Sequence, residues 1–148
     1  MLLAPESQRR LEEFFRHYAR DETLRLPRVR FYAGRFAGAL TRTFGIGAIT
    51  FGSRVFVAPE LLCRGADERL TLDAGLAVHE ATHVLQYRRV GFVTFLIIYL
   101  RDYARALRAG AGGARERHRA AYLAIGFEVE ARAAARLHAA WRGHDRTV

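Results

Sequence analysis

The pentapeptide H-E-A-T-H at residues 79–83 constrains the fold more than any other stretch of this chain. It lies within a run of helix-forming residues, for which we predict a helix over residues 71–90. Because residues four positions apart share one helix face, His79 and His83 can both contact one metal ion. Glu80 can hold a water bound to that ion and accept its proton. The fold therefore has to bring a third metal ligand to this helix.

The length and the net charge of the chain limit the classes of function that it can have. The chain has 148 residues, which fits one domain, and a formal net charge of +9, which is typical of proteins that bind nucleic acids or anionic membranes. Here all 24 cationic side chains are arginines, and they are scattered from Arg9 to Arg146 rather than clustered. This bias is more typical of a GC-rich coding sequence than of a selected binding surface. We therefore expect no nucleic-acid partner.

Three features bear on the cellular compartment. The single cysteine, Cys63, cannot form an internal disulfide, which fits a reducing compartment. Residues 1–6 lack both the basic and the sustained apolar segment of a signal peptide. No apolar run reaches the roughly 20 residues that span a bilayer. We expect a cytoplasmic protein, and export by a non-classical route is compatible with these features.

The chain before the motif helix predicts a mixture of helix and sheet. Apolar residues at three- and four-residue spacing predict a first helix over residues 6–20. A small, mostly antiparallel sheet is predicted over residues 28–58, with a short helix over residues 37–44. Within it, residues 46–58 predict a hairpin whose two-residue loop is Gly52-Ser53. An exposed edge of such a hairpin can pair with an extended peptide.

Residues 90–100 form the most apolar run of the chain. Gly91 can end the motif helix, and a second helix is predicted over residues 92–108. Its first half is apolar all round, which favours burial, with contact to a membrane surface or a partner as the alternative. Further helices are predicted over residues 114–141. The fold class is therefore α+β: a small single domain over residues 1–148, mostly helical, with the sheet before the motif helix.

A third metal ligand has to come from outside the pentapeptide. A catalytic zinc site has three protein ligands and one open position for water. Spacing alone leaves five candidates after the motif, which are His118, Glu128, Glu130, His138 and His144.

Two sequence patterns carry a family resemblance. H-E-A-T-H-V-L-Q-Y followed by F-E-V-E-A-R resembles the gluzincin-type zincins, whose third ligand is a glutamate on a later helix within the pattern E-x-x-A-D. The chain resembles a small zincin-like domain more closely. The resemblance lies, in chain order, in residues 39–45, residues 49–51, the motif with Gln86 after it and the E-x-E-A segment. That domain occurs in core proteins of extracellular contractile injection systems. It is catalogued largely as a domain of unknown function and is inferred to be a metallopeptidase. The resemblance covers residues 28–135.

The resemblance implies roles for individual residues. His79 and His83 would be metal ligands, Glu80 the general base and Glu128 the third ligand. The remaining candidates for the third ligand stay open beside it. One position departs from the family pattern, because Arg132 stands where E-x-x-A-D has its aspartate. An arginine cannot orient a metal-bound imidazole as that aspartate does, and it could compete for the charge of Glu128.

These observations lead to a zinc-dependent peptidase that acts on a peptide or protein substrate. Three side chains are candidate donors to the oxyanion of the reaction, namely Tyr122, His118 and Tyr87. The alternative is a catalytically weak or inactive, zinc-stabilised scaffold or interaction module of a larger assembly. An open metal position would favour the peptidase, and a fourth protein ligand would favour the scaffold.

Overall fold

The computed structural model describes residues 3–44, 46–64 and 70–144. Helices dominate these ranges, as predicted, and short strands lie in the N-terminal half. In chain order the elements are α1 (Pro5–Ala19), β1 (Arg30–Tyr32), α2 (Arg35–Phe44), β2 (Ala48–Phe51), β3 (Arg54–Val57), β4 (Leu62–Arg64), β5 (Leu70–Leu72), α3 (Ala74–Val90), α4 (Phe92–Ala109), α5 (Ala114–Ala124) and α6 (Gly126–His144).

Strands β1, β3 and β2 form a three-stranded sheet in that order. The β2–β3 pair is antiparallel and is joined at Gly52-Ser53, so the predicted hairpin is confirmed. Gly52 has a φ of 60°, a conformation that costs glycine little. Strand β1 pairs with β3 in parallel, which makes this sheet mixed rather than simply antiparallel. Strand β2 is left at one edge of the sheet.

A second, two-stranded antiparallel sheet joins β4 to β5. The sequence predicted only a connecting segment over residues 59–69, because each of these strands is three residues long. Residues 65–69, between the two strands, lie outside the described part of the chain.

The motif helix α3 ends at Val90, as predicted, and begins at Ala74 rather than at residue 71, because residues 70–72 form strand β5. The Asp73 side chain accepts a hydrogen bond from the Leu76 backbone N–H at 2.9 Å, which identifies Asp73 as the N-terminal cap of this helix. At the other end Gly91 has a φ of 81°, and its N–H donates to Tyr87 O at 2.8 Å. Helix α4 begins at the next residue. The two helices are therefore joined without a loop.

Two apolar clusters enclose α3. The larger cluster packs α1, the three-stranded sheet and α6 against one side of α3, and it includes Phe14, Val55, Val78 and Ala134. The smaller cluster contains Tyr87, Phe95, Ile125 and Phe127. In it the Phe95 and Phe127 rings stack with centroids 4.6 Å apart. Helix α3 is consequently buried along most of its length, including residues of the H-E-x-x-H motif.

The expected burial of the apolar run at residues 90–100 is wrong for most of its side chains. Phe95 is the buried residue of α4, whereas Val93, Ile97 and Leu100 are 67%, 61% and 63% exposed. The reason is geometric, since α4 lies against α3, α5 and α6 with one face, and the opposite face has no covering element among the described residues. Within those residues no helix is long and apolar enough to cross a membrane.

Candidate metal centre

Helix α3 brings the two motif histidines together. One helical turn separates them, and His79 Nε2 lies 3.2 Å from His83 Nε2. The rings meet edge to face with centroids 4.9 Å apart. His83 is buried, and His79 is partly exposed. Two imidazole nitrogens thus face one small volume that solvent reaches from the side of His79.

Glu128, in the first turn of α6, completes a group of three. Its side chain is 4% exposed, and its Oε2 lies 3.3 Å from His79 Nε2 while its Oε1 lies 3.4 Å from His83 Nε2. An ion held tetrahedrally by bonds of about 2.0–2.1 Å keeps its donor atoms about 3.3–3.4 Å apart. With one ligand atom taken from each residue, the three donor atoms lie within 4.8 Å of one another, so the group could hold a single metal ion.

Only one of the two oxygens of the Glu128 carboxylate accepts a hydrogen bond from the described residues. Tyr99 on α4 donates a hydrogen bond to Oε1 at 3.1 Å, whereas the buried Oε2 has no hydrogen-bond partner in the described part of the chain. A buried carboxylate oxygen without a partner is costly unless something binds it. His79, His83 and Glu128 could thus hold a metal ion, and no other described His, Cys, Asp or Glu joins them.

The electrostatics of the group favour a cation. Burial acts to raise the pKa of Glu128, but the close approach and the charge of His79 and His83 outweigh it and hold the pKa far below its ordinary value. Burial acts to lower the pKa of His83, but Glu128 and Glu80 raise it above its ordinary value. Two carboxylates therefore draw positive charge to this place, and a metal ion would supply that charge.

Glu80 is buried beside the two histidines and is held by the sheet. Thr50 Oγ1 on β2 donates a hydrogen bond to Glu80 Oε2 at 2.6 Å. The backbone carbonyl of Thr50 accepts a hydrogen bond from the Tyr87 hydroxyl at 3.1 Å. Tyr87, a predicted oxyanion donor, thus fastens β2 to α3, and burial raises its pKa to about 12. The contact between β2 and Glu80 could not be predicted from sequence, because 30 residues separate the partners.

The second predicted oxyanion donor, Tyr122, lies close to Glu128. Burial and the Glu128 carboxylate raise the pKa of Tyr122 well above its ordinary value. The same two causes raise the pKa of Tyr99. Sequence reasoning missed Tyr99, although a tyrosine inside an otherwise apolar run is a signal that a buried polar partner exists. Both hydroxyls remain protonated donors at neutral pH.

The other candidate ligands lie elsewhere. Glu130 is bound by Arg89 and Gln86 and is not part of the group of three. His118 lies on the exposed face of α5, hydrogen-bonded to Tyr103. His138 is buried against Phe14 of α1, with ring centroids 5.0 Å apart. The side chain of His144 lies outside the described part of the chain.

Arg132 folds back onto Glu128, as its position four residues later allows. Arg132 Nη1 lies 3.8 Å from Glu128 Oε2, and its Nη2 donates to the carbonyl of Leu123. Arg132 is thus close enough to compete for the charge of Glu128, as the sequence led us to expect. At 3.8 Å this contact is an ion pair but not a hydrogen bond, so it leaves Oε2 free to bind.

Comparison with known families identifies the N-terminal part of this arrangement. A family model described as the eCIS core domain matches residues 3–91. The match includes the H-E-x-x-H motif, and it ends at the glycine that closes α3, before Glu128. Searches of the curated proteins and of the solved structures gave no match. Because the matched residues make up more than half of the 148, the chain belongs to the eCIS core domain family.

Proposed function

We propose that this protein binds Zn²⁺ through His79, His83 and Glu128 and hydrolyses peptide bonds at that ion with Glu80 as general base. The observation that carries the proposal is the group of three donor side chains, with separations of 3.2 to 3.4 Å. Two histidines and one glutamate are the ligand set of a large class of zinc peptidases. The unpartnered Oε2 of Glu128 supports the same reading, because it lies where such an ion would bind.

The side chains around this group suit the chemistry. Bound zinc would supply a Lewis acid that polarises a carbonyl and lowers the pKa of a water. Glu80 follows His79 directly, and it would accept the proton of that water and return it to the leaving amine. The hydrogen bond from Thr50 holds the Glu80 carboxylate in one orientation. Tyr122, which is protonated and close to Glu128, is the nearby candidate donor for a developing negative charge, whereas the Tyr99 hydroxyl already donates to Glu128 Oε1.

A peptide is the substrate class that the neighbouring sheet suits. Strand β2 is at the edge of the three-stranded sheet, and its Thr50 contacts Glu80. An extended peptide that pairs with the edge of β2 would run next to the general base, and it would have to replace the Tyr87 hydroxyl at the Thr50 carbonyl. A peptide held as an added strand presents its carbonyls at regular spacing, which suits hydrolysis at one bond.

A second candidate function is a zinc-stabilised module of a larger assembly. Membership in the eCIS core domain family favours it, because this family name describes an assembly component. Burial favours it too, since Glu80, His83 and Glu128 are 4%, 6% and 3% exposed and a substrate carbonyl has to reach the group past His79. In this case the ion would tie α6 to α3, and Glu80 would have no proton to transfer.

Metal analysis combined with a peptide library distinguishes the two functions. The zinc-loaded protein is compared with Glu80→Gln and with Glu13→Gln, a control on the exposed side of α1. We expect one zinc per chain in all three and peptide cleavage that Glu80→Gln abolishes and Glu13→Gln keeps. Bound zinc with no cleavage difference between the wild type and Glu80→Gln would favour the assembly module. Absence of stoichiometric zinc would overturn both.

A further inference from the structure

Gln86 is a buried polar residue that the proposed chemistry does not use. It lies on α3, three residues after His83, and is 1% exposed. Its Nε2 donates to the Phe127 carbonyl at 3.0 Å and to Glu130 Oε2 at 2.9 Å, and its Oε1 lies 2.8 Å from His83 Nδ1. A side-chain amide with every group engaged in a buried site is held in a single orientation.

The partners of this amide determine which way it faces. A backbone carbonyl and a carboxylate can only accept hydrogen bonds, so the amide must present its NH₂ group to Phe127 and Glu130. The reverse orientation would bring Oε1 against two acceptors in a buried site. The Gln86 oxygen therefore faces His83, and the hydrogen bond between them requires a proton on His83 Nδ1.

The position of that proton decides what the other ring nitrogen can do. A neutral imidazole that carries its proton on Nδ1 has a lone pair on Nε2. His83 Nε2 is the atom that lies 3.2 Å from His79 Nε2 and 3.4 Å from Glu128 Oε1. The Gln86 contact thus presents the lone pair of His83 to the other two donors, as partners of metal-bound histidines commonly do.

A guanidinium at the surface supports the same contact. Arg89 donates two hydrogen bonds to the Glu130 carboxylate, each at 2.9 Å. Such a fork fixes the carboxylate in one plane. Glu130 Oε2, in turn, accepts from Gln86. A continuous series of contacts therefore leads from the exposed Arg89 through Glu130 and Gln86 to His83.

We propose that Gln86 is a positioning residue that holds His83 in the tautomer with its proton on Nδ1, and that Glu130 and Arg89 hold the Gln86 amide in the orientation this tautomer requires. This role stands in for the missing aspartate at position 132, since it orients a metal-ligating imidazole from within α3 instead. The inference rests on the proposed function, because the tautomer matters where His83 binds a metal.

The tautomer of the metal-free protein provides a test that needs no activity. Long-range ¹H–¹⁵N NMR spectra of the full-length protein, recorded at alkaline pH where the imidazole is neutral, show which ring nitrogen of His83 carries the proton. The variants are Gln86→Met, which keeps the length of the side chain, and Glu130→Ala. The control is Arg88→Ala, which removes a neighbouring arginine that contacts the Arg25 carbonyl instead. We expect an Nδ1 proton in wild type and Arg88→Ala, and a shift toward Nε2 in Gln86→Met.

Zinc affinity, measured by competition with a chromophoric chelator, gives the second readout. We expect Gln86→Met to lose about 10- to 100-fold in affinity, which is the usual effect of removing such a partner. Glu130→Ala should lose less, because the Phe127 carbonyl still holds the amide, and Arg88→Ala should match the wild type. Glu130 is partly exposed, so its variant keeps the test available if Gln86→Met does not fold.

The outcomes separate the two proposals. A wild-type His83 with its proton on Nε2, or a Gln86→Met variant with unchanged tautomer and unchanged zinc affinity, would overturn the role of Gln86 and leave the metal site intact. A wild-type protein that binds no zinc would overturn the proposed function, and the NMR comparison alone would then decide the role of Gln86.

Discussion

Two buried carboxylates lie beside the same pair of imidazoles, and they are held in different ways. Glu128 has one oxygen bound by Tyr99 and the other without a hydrogen-bond partner among the described residues. Glu80 has its Oε2 bound by Thr50, which belongs to the sheet rather than to α3. Each carboxylate accepts a hydrogen bond from one hydroxyl, and the buried Oε2 of Glu128, which has no hydrogen-bond partner among the described residues, suits metal ligation.

Replacing Thr50 by valine tests the role of the hydrogen bond from Thr50 to the Glu80 carboxylate. The shapes are nearly equal, so the change removes the 2.6 Å hydrogen bond and leaves a buried carboxylate oxygen without its donor. We expect the free energy of unfolding to fall by about 1–3 kcal/mol. Zinc affinity should stay unchanged, because Thr50 contacts none of the three ligands, and any peptidase kcat should fall. Urea denaturation, chelator competition and steady-state kinetics measure the three quantities.

The matched control is Thr43→Val. Thr43 is exposed, and its hydroxyl donates to the Ala39 carbonyl of its own helix. Its replacement should change the free energy of unfolding by less than about 0.5 kcal/mol. A Thr50→Val protein that loses zinc affinity as well as stability would contradict the separation of Glu80 from the metal ligands.

At the scale of elements, α4 departs most from expectation. Its sequence is apolar all round in the first half, yet three large side chains on one face, Val93, Ile97 and Leu100, are well exposed. Hydrophobic periodicity reports which residues prefer burial, and it does not report on which sides of a helix neighbours exist. The confirmed predictions are those that depend on local chemistry, such as the Gly52-Ser53 hairpin loop and the end of α3 at Gly91.

The exposed face of α4 predicts an unusual tolerance to polar substitution. In the triple variant Val93→Ser, Ile97→Ser and Leu100→Ser, side chains that water already reaches are replaced, so the Tm should change by only a few degrees. The matched control is Phe95→Ala on the opposite face, where removal of a buried ring should cost about 3–5 kcal/mol. Thermal denaturation of both proteins makes the comparison. A large loss of stability in the triple variant would show that this face is covered.

At the scale of the whole molecule, α6 connects the candidate site to the N-terminal helix. Glu128 near its start contacts the α3 histidines, and His138 and Trp141 near its end pack on Phe14 of α1. The extensive packing of α6 on α3 lies between these contacts. A metal ion at the site would therefore stabilise the arrangement of α1, α3 and α6 together rather than one helix.

Zinc should accordingly raise the stability of the full chain. At a free zinc concentration 100 times the Kd, mass action contributes about 2.7 kcal/mol. For a protein of this size that corresponds to a rise in Tm of about 5–11 °C. Differential scanning calorimetry with buffered zinc, followed by chelator, measures the rise and its reversal. Glu128→Ala is the control and should give little or no rise; an equal rise in that variant would contradict its assignment as third ligand.

The residues of this site differ in whether local sequence spacing or tertiary packing places them, and this decides which of them the sequence can predict. His79, Glu80 and His83 are specified by spacing on one helix, so they could be identified directly. Glu128 is specified by the docking of α6 on α3, which the sequence does not encode locally, and only the family resemblance separated it from Glu130. The partners of Thr50 and Tyr99 depend on tertiary packing alone and could not be predicted, although the position of Tyr99 in an apolar run indicates that it has a buried polar partner. That the chain forms a single domain stays a prediction.

The division of the ligands between two helices has a thermodynamic consequence. His79 and His83 lie in the segment that matches the family model, and Glu128 lies on a helix beyond it. If the group binds a metal ion as proposed, metal binding and the docking of α6 would be linked equilibria that share one coupling free energy. A change that separates α6 from α3 would lower the affinity for the ion by some factor, and the ion would oppose that separation by the same factor. Metal affinity measured in the presence of any binding partner would thus report how that partner affects the packing of α6.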